Sequence, residues 1–312
     1  MIRYLWMRLL FMVITLFVVV SIVHMATAYG TLKYTDLSFT QKIQEIFWAY
    51  IDYIRMVAFD GEFGIDRHHR DVYEVTLSLA PLTLRLNGYA FLFYTLGGVF
   101  LGTLAAIKRN RLTDRIIQSF VLVFNSLPPY LMVMILVLSL GYWLEWLPAQ
   151  HVMSTSGGIF RQLSGVVIPV LAISSLPLAR ITRLIRGEMI EAFYSDYLLL
   201  LRTKGLNRFQ IITRHLLKDC TVALMPELLP MIMYAIFGSF IIEIIYGVPG
   251  LSRYLFNSIF SPDGIGFFID IDLNPVVMVA GFFTLLTLMA AMVVDVTYAM
   301  IDPRMRVGNK KP

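Results

Sequence analysis

Residues 196–218 read DYLLLLRTKGLNRFQIITRHLLK, a polar and basic stretch set between two strongly apolar runs. Asp196 to Thr203 is a run of good helix formers, and Gly205, directly after Arg202 and Lys204, predicts that this helix stops in a left-handed turn. Asn207 then opens a second helix. Its side chain can accept from the free amides of the first turn, and Gln210, three positions on, can reach back in a capping box. Phe209, Ile211, Ile212, Leu216 and Leu217 give that second helix an apolar side, with Arg208, Arg214 and Lys218 opposite. The stretch predicts a helix, a glycine turn and an amphipathic helix. By itself that pattern suits a solvated connection between two membrane spans as well as a docking element.

The rest of the chain decides the class. At 312 residues, 58% hydrophobic and only 15% charged, with a mean hydropathy of +0.71, it cannot fold as an ordinary soluble globule. The pattern is that of an all-α, multi-pass integral membrane protein. The net charge of +5 falls in short clusters beside apolar runs, which is the positive-inside pattern and not a nucleic-acid surface. The single Cys220 leaves no intrachain disulfide and no cysteine-based metal cluster.

Six transmembrane helices are predicted, over 9–28, 86–107, 116–144, 164–179, 224–246 and 275–301. The segment Ala26-Thr27-Ala28 leaves a cleavable leader open as an alternative to a retained first span. The organisation expected is a cytoplasmic N-terminus and first helix over 1–28, an extracytoplasmic segment over 29–84, a five-helix core over 85–302 with a long loop at 184–222, and a cytoplasmic tail over 303–312. Within the outer segment, Ser38 to Ala58 reads as a helix on the membrane surface or packed against the spans. Gly98 and Gly102 permit close helix packing in the second span. Tyr142, Trp143 and Trp146 mark an outer aromatic belt, and Arg180, Arg183 and Arg186, three apart, read as one basic stripe at the inner surface. Eighteen of the 26 Lys and Arg fall on the side of Arg3, Arg8, the 108–115 turn, the 180–218 region and the tail with Arg304, Arg306, Lys310 and Lys311, which places both termini in the cytoplasm.

Few side chains suggest chemistry. Asn125 and the pair Pro128-Pro129 interrupt the third span; a break within a bilayer needs protein or water to satisfy the freed backbone, so these residues either line a pathway or form a packing kink. Glu243, an acid near the outer end of the fifth span, either contacts substrate or makes a structural hydrogen bond, and Asp295 lies in the inner third of the sixth. His68-His69, near Asp66 and Asp71, lacks an evident third ligand, so no metal site is expected. There is no G-x-x-x-x-G-K-[ST] phosphate loop, no G-x-S-x-G elbow and no H-E-x-x-H helix. Energy for any transport must come from an ion gradient or another subunit.

Four groups of residues carry a family likeness: Glu191, Asp196-Tyr197, Arg202, Lys204-Gly205-Leu206 and Arg214-His215 in the loop; Gly61-Glu62-Phe63-Gly64; Glu243 through Leu251; and Asp295, Tyr298 and Asp302-Pro303-Arg304-Met305-Arg306. With these, the chain resembles the membrane permease subunits of ABC importers of the dipeptide and oligopeptide (peptide/nickel) class. Leu199, Leu200 and Leu201 depart from it, standing where the family places small or polar residues.

The resemblance implies a non-enzymatic permease of a bacterial cytoplasmic membrane, surrounded by lipid. It would pair with a second homologous permease, two ATPase subunits and an extracytoplasmic substrate-binding protein. ATP and Mg would be held by the ATPases, with no cofactor or metal on this chain and no nucleic-acid partner. It also implies that Glu191, Asp196, Tyr197, Arg202, Thr203, Lys204, Gly205, Leu206 and Arg208 couple the permease to the ATPase, with the first loop helix docking in an ATPase cleft. Peptides are the implied cargo, with nickel or a metal chelate as the alternative. From the residues alone two other classes stay open: an ion-driven secondary transporter using Glu243 and Asp295, and a membrane scaffold or sensor read through 29–84.

Overall fold

The computed structural model describes residues 2–32, 35–151, 158–263 and 266–301. Asp302 to Arg306, Lys310, Lys311 and the side chains of Arg3 and Tyr298 lie outside the described residues. The chain forms two compact units, 1–84 with 247–289 and 85–246 with 290–312. It passes from the first to the second within one long helix.

In the first unit, α1 (Ile2–Leu32) is followed by α2 (Phe39–Arg55), which runs on through a wide π turn at Met56–Asp60 and stops at Gly61, φ +69°. The expected surface helix is therefore present, and it packs on α1. Tyr50 and Tyr53 bury their rings over His24, at centroid distances of 5.5 and 4.8 Å, and the hydroxyls of Ser21 and Tyr50 share a hydrogen bond.

Helix α3 (Val72–Ile107) begins well before the apolar run at 86. Asp71 starts it by accepting from the amides of Tyr73 and Glu74. Its first turns pack Val75, Leu79 and Ala80 against Leu251 and Tyr254 of α10 (Leu251–Ile259) and Val279 of α11 (Leu273–Ile301). Thr83 Oγ1 accepts the amide of Leu251, fixing the start of α10. Between α10 and α11 lies a short antiparallel hairpin, β1 (Phe260–Asp263) with β2 (Gly266–Ile269), an addition to the all-helical expectation.

Asp66 is the polar centre of this unit. It is buried, pairs with Arg70 at 2.7 Å, and accepts from the amides of His68 and Arg70 and from the Tyr254 hydroxyl. With its carboxylate so occupied, Asp66 is not poised as a metal ligand beside His68-His69.

The second unit holds the rest of α3, then α4 (Leu112–Ser126), α5 (Pro129–Leu136, continued as a π turn to Trp143), α6 (Gly158–Phe193), α7 (Asp196–Thr203), α8 (Arg208–Gln210) and α9 (Leu217–Tyr246). Among the described residues, five helices are long and apolar enough to cross a membrane, and α4 with α5 makes a sixth candidate.

That sixth carries the break expected within 116–144. Leu127 and Pro128 take extended backbone, Pro129 starts α5 at its first position, and the two helices meet at 114°. Gly98 and Gly102 do serve close packing: a Cβ at 98 would stand 2.7 Å from Ile181 Cβ, and one at 102 would stand 2.7 Å from the Thr182 carbonyl oxygen.

Candidate functional site

The 196–218 stretch folds locally as its residues dictate. The amides of Gly205 and Leu206 donate to the carbonyls of Arg202 and Leu201, and Gly205 adopts φ +76°. Those two bonds form a Schellman cap, satisfying the last carbonyls of α7. Thr203 Oγ1 adds a bond to Leu200 O, and Lys204 is the capping residue between helix and glycine. Asn207 Oδ1 accepts from Gln210 N at 2.8 Å while Gln210 Oε1 accepts from Asn207 N at 3.1 Å, the reciprocal capping box.

Beyond Gln210 the chain departs from expectation. The second helix is no separate amphipathic piece: Ile211–Leu216 is a π segment that runs directly into α9, so one helical body extends from Arg208 to Tyr246. Ile211, Ile212 and Leu216 are buried as expected, whereas Phe209 is 74% exposed. A π segment adds a residue to the turn and so re-aims the face of the helix after it.

The leucine run resolves into two pairs. Leu198 and Leu201, on one face of α7, are 6% and 3% exposed; Leu199 and Leu200, on the other, are 59% and 53% exposed. Tyr197 is held from the side by a 3.2 Å hydrogen bond between its hydroxyl and His215 Nδ1. Asp196, in the first turn, and Arg202, in the last, each suit the helix dipole. Arg202, Leu206 and Arg208 turn toward Arg109 and Tyr194 around a cavity of about 480 Å³, with the Arg109 guanidinium 5.2 Å from the Tyr194 ring centre.

Glu191 stands apart from that group. It lines a second cavity, of about 560 Å³, with Arg180, Arg183, Glu188 and Glu227. Arg186 does not share this face; it reaches the other way to Asp114 of α4, its Nε and Nη2 each donating to one carboxylate oxygen at 2.8 Å. The expected stripe of three arginines is thus two plus one.

The pathway candidates are not gathered on one surface. Asn125 is exposed near the end of α4, and Pro128 is the capping residue of α5. Pro129 faces Gly238 of α9, where a Cβ would sit 3.5 Å from the proline ring. Glu243 is fully buried in α9. The Asp114–Arg186 pair and the 180–191 face of α6 were both missed as a site. Only the second had a local signal, the i, i+3, i+8, i+11 spacing of Arg180, Arg183, Glu188 and Glu191.

A family model described as the inner membrane component of binding-protein-dependent transport systems matches residues 98–307. The chain belongs to that family. The oligopeptide transport system permease protein OppB of Haemophilus influenzae is 31% identical over 248 residues, covering 79% of this chain and 76% of that protein. The Salmonella typhimurium OppB is 30% identical over 84% of this chain and 81% of its own length. The dipeptide transport system permease protein DppB of Lactococcus lactis is 27% identical over 98% of this chain and 100% of its own length.

Among solved structures, an inward-facing MetNI methionine ABC transporter matches with a TM-score of 0.56 at 13% identity, over 74% of this chain and 97% of that one. An amino acid ABC transporter matches at 0.51 and 18%, over 73% and 94%. These two establish a shared fold. The resemblance read from the sequence is borne out: this permease is a multi-pass inner membrane component of an ABC importer, a membrane part of the machine and not its catalytic one.

Proposed function

We propose that this permease and a second homologous permease enclose a pathway for peptides across a bacterial cytoplasmic membrane, with both termini of this chain on the cytoplasmic side. An extracytoplasmic binding protein delivers the cargo, and two ATPase subunits hold ATP and Mg. Peptides are favoured over nickel by the oligopeptide and dipeptide systems to which the relatives belong.

In this reading α7 is where the energy of ATP hydrolysis enters. The observation that carries it is the split of the leucine run. Leu198 and Leu201 anchor the helix to the membrane unit, while Leu199 and Leu200 present bare apolar surface on a short element closed at its C-terminal end by the Gly205 cap. Exposed leucines of that kind, flanked by Arg202, Lys204 and Arg208, fit an apolar cleft with an acidic rim. Gly205 sets the direction in which the helix leaves the membrane unit, and Asp196, Tyr197, Thr203 and Leu206 hold the loop's shape, with Glu191 on α6 a part of the same coupling surface.

The test is reconstitution of the whole complex with the Gly205→Asp variant or with residues 196–205 deleted. Insertion stays normal, coupling of ATPase activity to substrate-loaded binding protein is lost, and uptake stops. Full uptake by either variant rejects the role given to α7.

A further inference from the structure

Helix α1 carries no Asp, Glu, Lys or Arg from Leu9 to Leu32. At about 1.5 Å per residue, Ser21 and His24 stand roughly 18 and 22 Å beyond Leu9, inside a hydrocarbon core about 30 Å thick. That is the level at which α2 meets α1: Tyr50 and Tyr53 close over the His24 ring, and the hydroxyls of Ser21 and Tyr50 share a hydrogen bond. The contact therefore lies within the depth of the span, in the leaflet far from Arg8, and not above its end.

Phe17 stands on the same face of α1, four residues before Ser21 and seven before His24, and is more than half exposed. On α2, Phe39, Ile43 and Phe47, four apart, make a row beside the buried tyrosines, and each is more than half exposed. Gln41, Gln44, Glu45, Asp52 and Arg55 are exposed around the rest of the helix. The apolar row of α2 thus continues an apolar surface that α1 already presents.

The depth of the contact supplies the occupant, because a span with so little of its surface covered is surrounded at that level by acyl chains. An amphipathic helix at the edge of a leaflet buries its apolar side about 5–10 Å and keeps its polar side toward headgroups and water. Helix α2 has this build. Its charges, Lys42 and Arg55 against Glu45 and Asp52, balance, so they select no anionic headgroup.

We propose that α2 lies in the lipid, in the outer leaflet of the orientation given above, with Phe39, Ile43 and Phe47 among the acyl chains. The segment after the first span is then in part a membrane element, held by α1 on one side and by lipid on the next.

The test reconstitutes the complete complex in phosphatidylcholine vesicles, with the other subunits free of reactive cysteines and Cys220→Ala in this chain. A nitroxide is placed at Ile43→Cys or Phe47→Cys on the apolar row, at Glu45→Cys about 160° around the helix from residue 47, or at Phe17→Cys as a lipid reference. At 43 and 47, as at 17, relaxation by oxygen exceeds relaxation by a water-soluble nickel chelate several-fold; at 45 the order reverses. Adding phosphatidylglycerol to the vesicles leaves all four ratios unchanged.

Nickel reaching 43 and 47 as freely as 45 overturns the proposal, since the helix then stands in water. Collision with neither reagent at 43 and 47 also overturns it, since protein then covers the row. A high ratio at 43 and 47 that appears only with phosphatidylglycerol assigns the attachment to headgroup charge and overturns the acyl-chain contact.

Discussion

Arg186 of α6 and Asp114 of α4 meet through two parallel hydrogen bonds of 2.8 Å, with the carboxylate almost wholly buried and the guanidinium one-quarter exposed. The amide of Asn110 donates to the same carboxylate at 2.9 Å, so the pair fixes the turn before α4 as well as the packing of α4 on α6. Removing the arginine strands a buried carboxylate, which costs about 3–5 kcal/mol in comparable pairs. Arg186→Ala is expected to lower the unfolding midpoint of the detergent-solubilised protein sharply, and Arg186→Lys, which keeps the charge and loses the fork, to fall between the two. A Lys variant as stable as wild type would show that the two-pronged geometry contributes nothing.

The approach of α3 to α6 is equally specific. Because an alanine Cβ at 102 would lie 2.7 Å from the Thr182 carbonyl oxygen and 2.8 Å from Ile185 Cβ, the helices must separate to accept it. Gly102→Ala is expected to destabilise by about 1–3 kcal/mol, the usual cost of overpacking. Gly88→Ala, on the same helix with nothing near its Cβ, should be neutral or slightly stabilising. Equilibrium unfolding of the two variants side by side checks the contrast.

What was readable in the sequence and what was not divides along the range of the interactions. The Gly205 turn, the Asn207–Gln210 box and the break at Pro128-Pro129 rest on residues within a few positions of one another, and each stands as expected. The sense of the leucine run was invisible because burial of Leu198 and Leu201 depends on partners elsewhere in the chain. Asp114 and Arg186 are 72 residues apart, and no local pattern joins them. The basic stripe failed for a geometric reason: two steps of three residues leave Arg186 about 120° around the helix from Arg180, too far to share its face.

The acid behaviour of the first unit depends on two aspartates that shift in opposite directions. At Asp66, burial opposes ionisation, but Arg70 and the amides of Arg70 and His68 outweigh it and hold the carboxyl below its ordinary 3.8. A depressed folded pKa means stability that is present above the unfolded value and lost as pH falls through the folded one. At Asp272, burial dominates over the bonds from Arg67 and raises the carboxyl, so protonation there favours the folded state as pH falls. Lowering the pH from neutral should therefore first leave the unit as stable or more so, then destabilise it once the pH drops below the ordinary aspartate range. Asp66→Asn should start lower and lose the final acid limb. Unfolding midpoints measured against pH in both proteins decide it; an unchanged acid limb in Asp66→Asn would refute the assignment.

The sharpest prediction concerns the two leucine pairs of α7, because structure and proposed coupling pull them apart. Leu201→Ala removes a side chain that is only 3% exposed and should cost about 2–5 kcal/mol, reducing assembly and uptake together. Leu199→Asp with Leu200→Asp alters residues more than half exposed, where surface substitutions stay within about 0.5 kcal/mol, so the unfolding midpoint should hold. If α7 enters an apolar cleft on the ATPase, the double variant buries two unpaired charges there, and both ATPase retention on the purified complex and substrate-stimulated hydrolysis should fall at least tenfold. Measuring midpoint, ATPase retention and uptake on both variants separates a folding defect from a coupling defect. A double variant that retains its ATPase and transports at the wild-type rate would place the entry of energy somewhere other than α7.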